Sequence, residues 1–105
     1  MWKMTFPAAL ALGSLAISNA ANAQGAGIHI FESSYGVPGR ATQVTGLVAD
    51  VCEGRYHCAF PVKNAFFGRD PVFGEVKQVV VYWTCGSGRV RSAFPEYSRA
   101  RLACY

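Results

Sequence analysis

The chain has 105 residues and a formal net charge of +4 at pH 7. This length fits a single domain, and the charge excess is too small to indicate a nucleic-acid-binding protein by itself. Four arginines near the C-terminus are opposed only by Glu96: Arg89, Arg91, Arg99 and Arg101. We interpret them as a solvated strand face rather than a site for an anionic surface, and we expect no nucleic-acid partner.

The N-terminus has the pattern of a signal peptide. Lys3 precedes an uncharged apolar stretch at 6–17, and the small residues Ala21 and Ala23 stand just before Gln24. The stretch is shorter than the roughly 20 residues that a membrane-spanning helix needs. Residues 1–23 are therefore predicted to be cleaved near Ala23, leaving 24–105 as a secreted or periplasmic domain without a membrane span. A retained N-terminal anchor is the alternative.

All four cysteines lie in the predicted mature chain, which is too small to have a wide stability margin from its core alone. Three pairings are possible, and we favour Cys52 with Cys58 and Cys85 with Cys104. The first closes a short turn and the second ties two C-terminal segments together. A zinc site is the alternative. No Cys-x-x-Cys pair is present and the two histidines lack ligand-like spacing, so we expect no metal.

The first half of the domain is predicted to contain a strand, a loop and a helix. Residues 27–32 alternate, with Ile28 and Ile30 on one face, which is typical of a strand. Residues 33–40 contain glycine and proline and are predicted to form a loop. Between 42 and 51 the apolar residues recur at i, i+3, i+4 and i+7, which predicts one short helix.

The second half is predicted to be richer in strands. Residues 52–58 form a turn between two cysteines, and 59–62 form an edge strand because of Pro61. A long loop follows over 64–74. The β-branched and aromatic run at 77–85 predicts a central strand.

Two further short strands, 89–94 and 99–104, are predicted on either side of a turn at Pro95 and Glu96. A bridge from Cys85 to Cys104 would pin the last strand to the central one. The predicted class is α+β: a small, β-rich antiparallel domain with one short helix, stapled by disulfides.

The sequence offers few residues for catalysis. It has no Gly-x-Ser-x-Gly motif, the histidines have no nucleophile beside them, and the cysteines are better used as disulfides. Glu32 and Asp70 could form a carboxylate pair, but two surface acids are the ordinary interpretation. We expect no enzymatic activity and no cofactor.

The loop that leads into the central strand has the composition of a sugar site. Sugar hydroxyls both donate and accept hydrogen bonds, so carboxylate, amide and ammonium groups with a nearby aromatic ring suit them. Asn64, Asp70 and Lys77 form such a set, with Tyr35 if its loop lies nearby. The alternative is structural: Asp70 begins a turn, Asn64 caps it and Lys77 is solvated.

Several motifs recur in the order and spacing of a known family: Ile-His-Ile-Phe-Glu-Ser-Ser-Tyr-Gly at 28–36, Cys-Glu-Gly-Arg-Tyr-His-Cys at 52–58, Val-Lys-Asn at 62–64, Phe-Gly at 67–68, Asp-Pro at 70–71, Gly74, Lys77 and Val-Tyr-Trp-Thr-Cys at 81–85. In these motifs the chain resembles the galactose/rhamnose-binding (SUEL-type) lectin domain. The resemblance implies a small α+β fold dominated by antiparallel strands, which binds a single sugar mainly through its hydroxyls.

Carried over by motif, the family's sugar-contacting residues fall on Tyr35, Asn64, Asp70, Gly74 and Lys77. The family's arginine in the first motif is Val37 here, and its cysteine after Asp-Pro is Val72. The family's N-terminal strand, which supplies a hydroxyl-binding glutamate, has no counterpart before Gly27. The segment from Gly86 onward is a C-terminal extension, in which Cys104 gives Cys85 a new partner.

The resemblance and the loop composition together predict a non-catalytic, lectin-like module that binds a rhamnose- or galactose-like carbohydrate. The alternative belongs to another class: a small envelope protein that binds a protein partner, for example as an enzyme inhibitor. It would use the same loop or an aromatic surface near Phe66, Phe67 and Phe73.

Overall fold

The computed structural model describes residues 27–104, so the predicted signal peptide and its cleavage site lie outside the described residues. In chain order the elements are β1 (His29–Val37), β2 (Arg40–Gln43), α1 (Thr45–Cys52), β3 (His57–Pro61), α2 (Asn64–Phe67), β4 (Gln78–Thr84), β5 (Val90–Pro95) and β6 (Arg99–Ala103). One antiparallel sheet has the order β2-β1-β4-β5, and a second pairs β3 with β6. The predicted β-rich antiparallel domain is confirmed.

Strand β4 lies between β1 and β5, as its β-branched and aromatic sequence predicted. Its alternate residues Val79, Val81 and Trp83 are buried on the inner face of the sheet. They belong to one core cluster with residues from α1 and from the β3–β6 sheet, including Val48 and Phe60. One face of each sheet is thus apolar, as expected for antiparallel sheets that cover a shared core.

A bulge in β1 decides which way Tyr35 points. Ile30 is buried and pairs with Trp83, but the register of β1 against β4 shifts between Ile30 and Glu32. After the shift the side chains of Ser33 and Tyr35 are buried. Strict alternation from Ile30 would have turned Tyr35 toward solvent, because successive strand residues face opposite sides. The extra residue of the bulge restores an inward direction for Tyr35.

The prediction of a loop over residues 33–40 is wrong. Strand β1 continues to Val37, and after a turn at Pro38 and Gly39 the chain returns as β2. Gly36 permits this tight hairpin, because a Cβ on it would lie 2.4 Å from the carbonyl oxygen of Arg40. The glycine and proline signals were therefore those of a hairpin turn and a close strand contact rather than of a long loop.

Two short helices are present where the sequence predicted one. Helix α1 begins at Thr45, three residues later than predicted. Helix α2 is a single turn inside the predicted long loop, and it ends at Gly68, whose φ of +76° is left-handed. The Gly68 N–H donates to the carbonyl of Asn64 at 2.8 Å, which closes the turn.

Both predicted disulfides are confirmed. Cys52 bonds to Cys58 across six residues and Cys85 bonds to Cys104 across 19 residues. Strand β6, however, pairs with β3 and not with the central strand. The Cys85–Cys104 bond therefore joins the end of the four-stranded sheet to the two-stranded sheet.

Candidate functional site: a depression beside Lys77

The loop between α2 and β4 is folded around the side chain of Lys77, whose exposed fraction is only 3%. Its ammonium lies 3.0 Å from Asp70 Oδ1 and 3.3 Å from Glu96 Oε1. It also donates hydrogen bonds to the carbonyl oxygens of Val72, at 3.0 Å, and Glu75, at 2.6 Å. The expectation of a solvated Lys77 is therefore wrong: a buried ammonium needs close partners, and it has four, three from this loop and Glu96 from the turn between β5 and β6.

These partners decide the charge of Lys77. Burial opposes its charged form and lowers the pKa, but the hydrogen bonds and charges of Asp70 and Glu96 outweigh burial, so the pKa is raised. Lys77 therefore stays protonated at neutral pH.

Two contacts fix the same loop to strand β2. Arg40 donates to Glu75 Oε2 at 2.8 Å, and Arg69 donates to Thr42 Oγ1 at 3.1 Å. Gly74, with a φ of +85°, forms part of the turn that brings the chain back to Lys77. The loop is thus held at both its outer edge and its centre, which fixes the positions of its polar groups.

Tyr35 reaches the loop from β1. Its hydroxyl donates a 2.6 Å hydrogen bond to Asn64 Oδ1, and its ring stacks on Phe67 with centroids 4.2 Å apart. The residue is fully buried, so its ring face is closed to a ligand. Burial, followed by the negative charges of Glu96 and Asp70, raises the pKa of the hydroxyl. Tyr35 is therefore a neutral donor that orients the Asn64 amide.

A depression of about 330 Å³ opens over this polar cluster. Of the five residues predicted to bind a ligand, four line it: Asn64, Asp70, Gly74 and Lys77. Tyr35, the fifth, lies behind Asn64. The Asp70 side chain is 30% exposed, so it offers carboxylate oxygen to a ligand while it holds Lys77. The volume lies in the range of about 300–1,000 Å³ that is usual for small-molecule sites.

The rim of this depression carries two aromatic residues that the sequence analysis did not assign to it. Phe73 is 91% exposed and Tyr97, from the turn between β5 and β6, is 80% exposed. The aromatic surface considered for a protein partner is smaller than expected, because Phe67 is buried in the core and Phe66 is half-buried. Only Phe73 of that set is fully open to solvent.

Glu96 is the other residue that sequence reasoning missed at the site. The sequence predicted only that it belongs to a turn, yet its side chain is 2% exposed and forms an ion pair with Lys77. The expected C-terminal extension thus contributes a carboxylate to the cluster under the depression. No local sequence signal marks Glu96, because its partner lies 19 residues away, just before β4.

A second, larger depression of about 580 Å³ lies on the outer face of the β3–β6 sheet. Arg55, His57 and Arg101 line it, and Arg99 lies two residues before Arg101 on the same strand. This part of the predicted solvated face is basic. The expectation of no nucleic-acid partner stays a prediction.

The carboxylates considered for catalysis are not brought together. Glu32 lines a different depression, of about 290 Å³, on the outer face of the four-stranded sheet. Within residues 27–104 no three His, Cys, Asp or Glu side chains are placed to hold a metal ion. No helix in that range has both the length and the apolar character to cross a membrane.

Comparisons with protein families, with curated proteins and with solved structures give no match to this chain. The lectin resemblance therefore remains an expectation from the motifs.

Proposed function

We propose that this protein is a non-catalytic carbohydrate-binding module, related to the SUEL-type lectin domain and its α+β fold, whose site is the depression beside Lys77. The observation that carries the proposal is the meeting of Tyr35, from β1, with Asn64, Asp70, Gly74 and Lys77. A sugar hydroxyl accepts from the Asn64 amide nitrogen and donates to Asp70. Two disulfides support an oxidising compartment, secreted or periplasmic, for the mature chain.

The bonding of Asp70 to Lys77 makes the carboxylate suitable for neutral ligands. The carboxylate already has a cationic partner in the Lys77 ammonium at 3.0 Å, so it does not need one from the ligand. A hydrogen bond to a charged acceptor contributes about 1.5–3 kcal/mol. The proposed ligand is thus a neutral sugar such as rhamnose or galactose.

The test is isothermal titration of the mature chain with rhamnose and galactose, beside a glycan array. Asp70→Asn keeps the shape but removes the charge, and it should weaken binding by about 1.5–3 kcal/mol. Asp50→Asn, on the exposed face of α1, is the matched control and should bind like the wild type. Binding that is equal in both variants would contradict the proposal.

The alternative, a module that binds a protein partner, is favoured by one observation. Phe73, Val76 and Tyr97 are exposed apolar side chains around the same depression. Aromatic residues of this kind often anchor protein interfaces. A wild-type chain that binds no glycan would put this candidate first, with Phe73→Ala as the variant to test against any partner.

A further inference from the structure

Tyr97 has a backbone conformation that its sequence neighbours do not explain. Its φ is +74°, and among residues 27–104 it is the only non-glycine residue with a positive φ. The left-handed region is unfavourable for a residue with a Cβ atom, and glycine or asparagine normally occupies it. A tyrosine persists there only when the surrounding structure over-determines the conformation.

The surrounding structure does hold Tyr97 in place. Its N–H donates to the carbonyl of Val62 at 2.7 Å, and the next residue, Ser98, bonds to the carbonyl of Pro95 through its N–H and its hydroxyl. The preceding residue, Glu96, is fixed on Lys77. The turn is thus rigid, and it sets the direction in which the Tyr97 side chain leaves the chain.

Packing does not explain the choice of tyrosine. The residue is 80% exposed, so its ring gains little from burial. Phe73, on the opposite loop, is 91% exposed and gains still less. Both nevertheless line the same depression as Asn64 and Asp70.

We propose that Tyr97 and Phe73 are the apolar contact surface of the site, against which the C–H face of a pyranose ring packs while its hydroxyls bond to Asn64 and Asp70. The inference rests on the proposed function and adds the ligand's shape to it: a ring with a continuous C–H face. Tyr35, whose ring is buried, cannot supply that surface. The strained turn presents the Tyr97 ring to the ligand at the cost of a less favourable backbone.

Three substitutions test the inference by separating affinity from stability. Tyr97→Asn relieves the left-handed strain and removes the ring, so the melting temperature should rise while sugar affinity falls about tenfold. Tyr97→Phe keeps the ring and should bind within about threefold of the wild type. Phe73→Ala should leave the melting temperature unchanged and weaken binding. Val90→Ala, at an exposed apolar residue of β5, is the control for the loss of surface apolar area.

The outcomes distinguish this inference from the function on which it rests. Sugar binding that depends on Asp70 but survives both Tyr97→Asn and Phe73→Ala would overturn the aromatic surface alone. A wild-type chain that binds no sugar would overturn both. A lower melting temperature in Tyr97→Asn, with unchanged affinity, would assign Tyr97 to the fold and also overturn the inference.

Discussion

Lys77 and Glu96 are joined by both their backbones and their side chains. The Glu96 N–H donates to the Lys77 carbonyl at 2.7 Å, and the Lys77 N–H donates to Glu96 Oε1 at 2.9 Å. The ammonium of Lys77 lies 3.3 Å from the same oxygen. These residues extend the β4–β5 ladder by one position beyond the pair of Gln78 and Pro95. The ladder thus ends in a buried ion pair directly under the candidate site.

We expect Glu96→Gln to destabilise the fold by about 2 kcal/mol, because a buried charge loses a charge-assisted partner. Glu75→Gln is the matched control: its carboxylate pairs with Arg40 at the surface, where an ion pair contributes about 0–1 kcal/mol. Urea unfolding followed by circular dichroism measures both. Equal losses in the two variants would contradict a special role for the Lys77–Glu96 pair.

We expect stability to fall as pH rises above about 10. The pKa of Tyr35 is raised from an ordinary value of 10.0, so the native state keeps a proton that the unfolded chain releases. The raised pKa of Lys77 acts in the same direction, since its stabilisation is lost as pH rises through the native pKa. Melting temperatures between pH 8 and 11 test this. Tyr35→Phe should flatten the alkaline fall, and an unchanged slope would exclude Tyr35 as a cause.

We expect the opposite dependence at the acidic end, from Glu53. Its partial burial raises the pKa, but the hydrogen bonds from the Ile30 N–H and from His29 prevail and lower it. Stability linked to Glu53 is therefore present above its ordinary value of 4.5 and lost as pH falls through the native pKa. Glu53→Gln should remove that part of the acid sensitivity in melting curves. Asp50→Asn, which removes an exposed carboxylate from α1 shortly before Glu53, is the control.

Loss of the two disulfides should have unequal effects. The chain-entropy estimate is roughly 2 kcal/mol for the Cys52–Cys58 loop and 3 kcal/mol for the Cys85–Cys104 loop. Because the second bond also joins the two sheets, Cys104→Ser should lower the melting temperature more than Cys58→Ser. Non-reducing peptide mapping of the purified protein should show both links. A Cys58–Cys85 link would contradict the topology.

Salt dependence separates the sugar site from the basic face on β3–β6. Binding of a neutral sugar beside Asp70 releases no counterions, so its affinity should change little between low and physiological ionic strength. Binding of DNA through Arg55, Arg99 and Arg101 would weaken steeply with salt. Titration with each sugar and with a DNA duplex at two salt concentrations measures both. Salt-sensitive DNA binding, with no measurable heat of binding for either sugar, would contradict the lectin proposal.

Local patterns in the sequence were sufficient for the parts of the fold that depend on neighbouring residues. The β-branched run predicted the central strand β4, and Pro61 predicted an edge strand, since each reflects a backbone preference that acts within a few residues. The spacing of the cysteines was sufficient for both disulfides. The motif at 62–77 gathered four residues of the candidate site, because a single folded loop carries all of them.

Contacts between distant segments were decided by the tertiary structure alone. The bulge in β1 turns Tyr35 inward, and its effect depends on pairing with β4 rather than on any residue of β1 itself. Lys77 was expected to be solvated because its partner Glu96 comes from the distant turn between β5 and β6, and burial of a lysine is tolerable only when such partners are in place. Tyr97 and Phe73 lie far apart in the sequence, and only the packing of two loops brings both to the same depression. Composition and short spacing were enough to favour the correct disulfides and to predict the central strand and the polar loop. Which side chains are buried, paired or open to a ligand depends on neighbours distant in the chain, so those properties follow only from the packing of the folded domain.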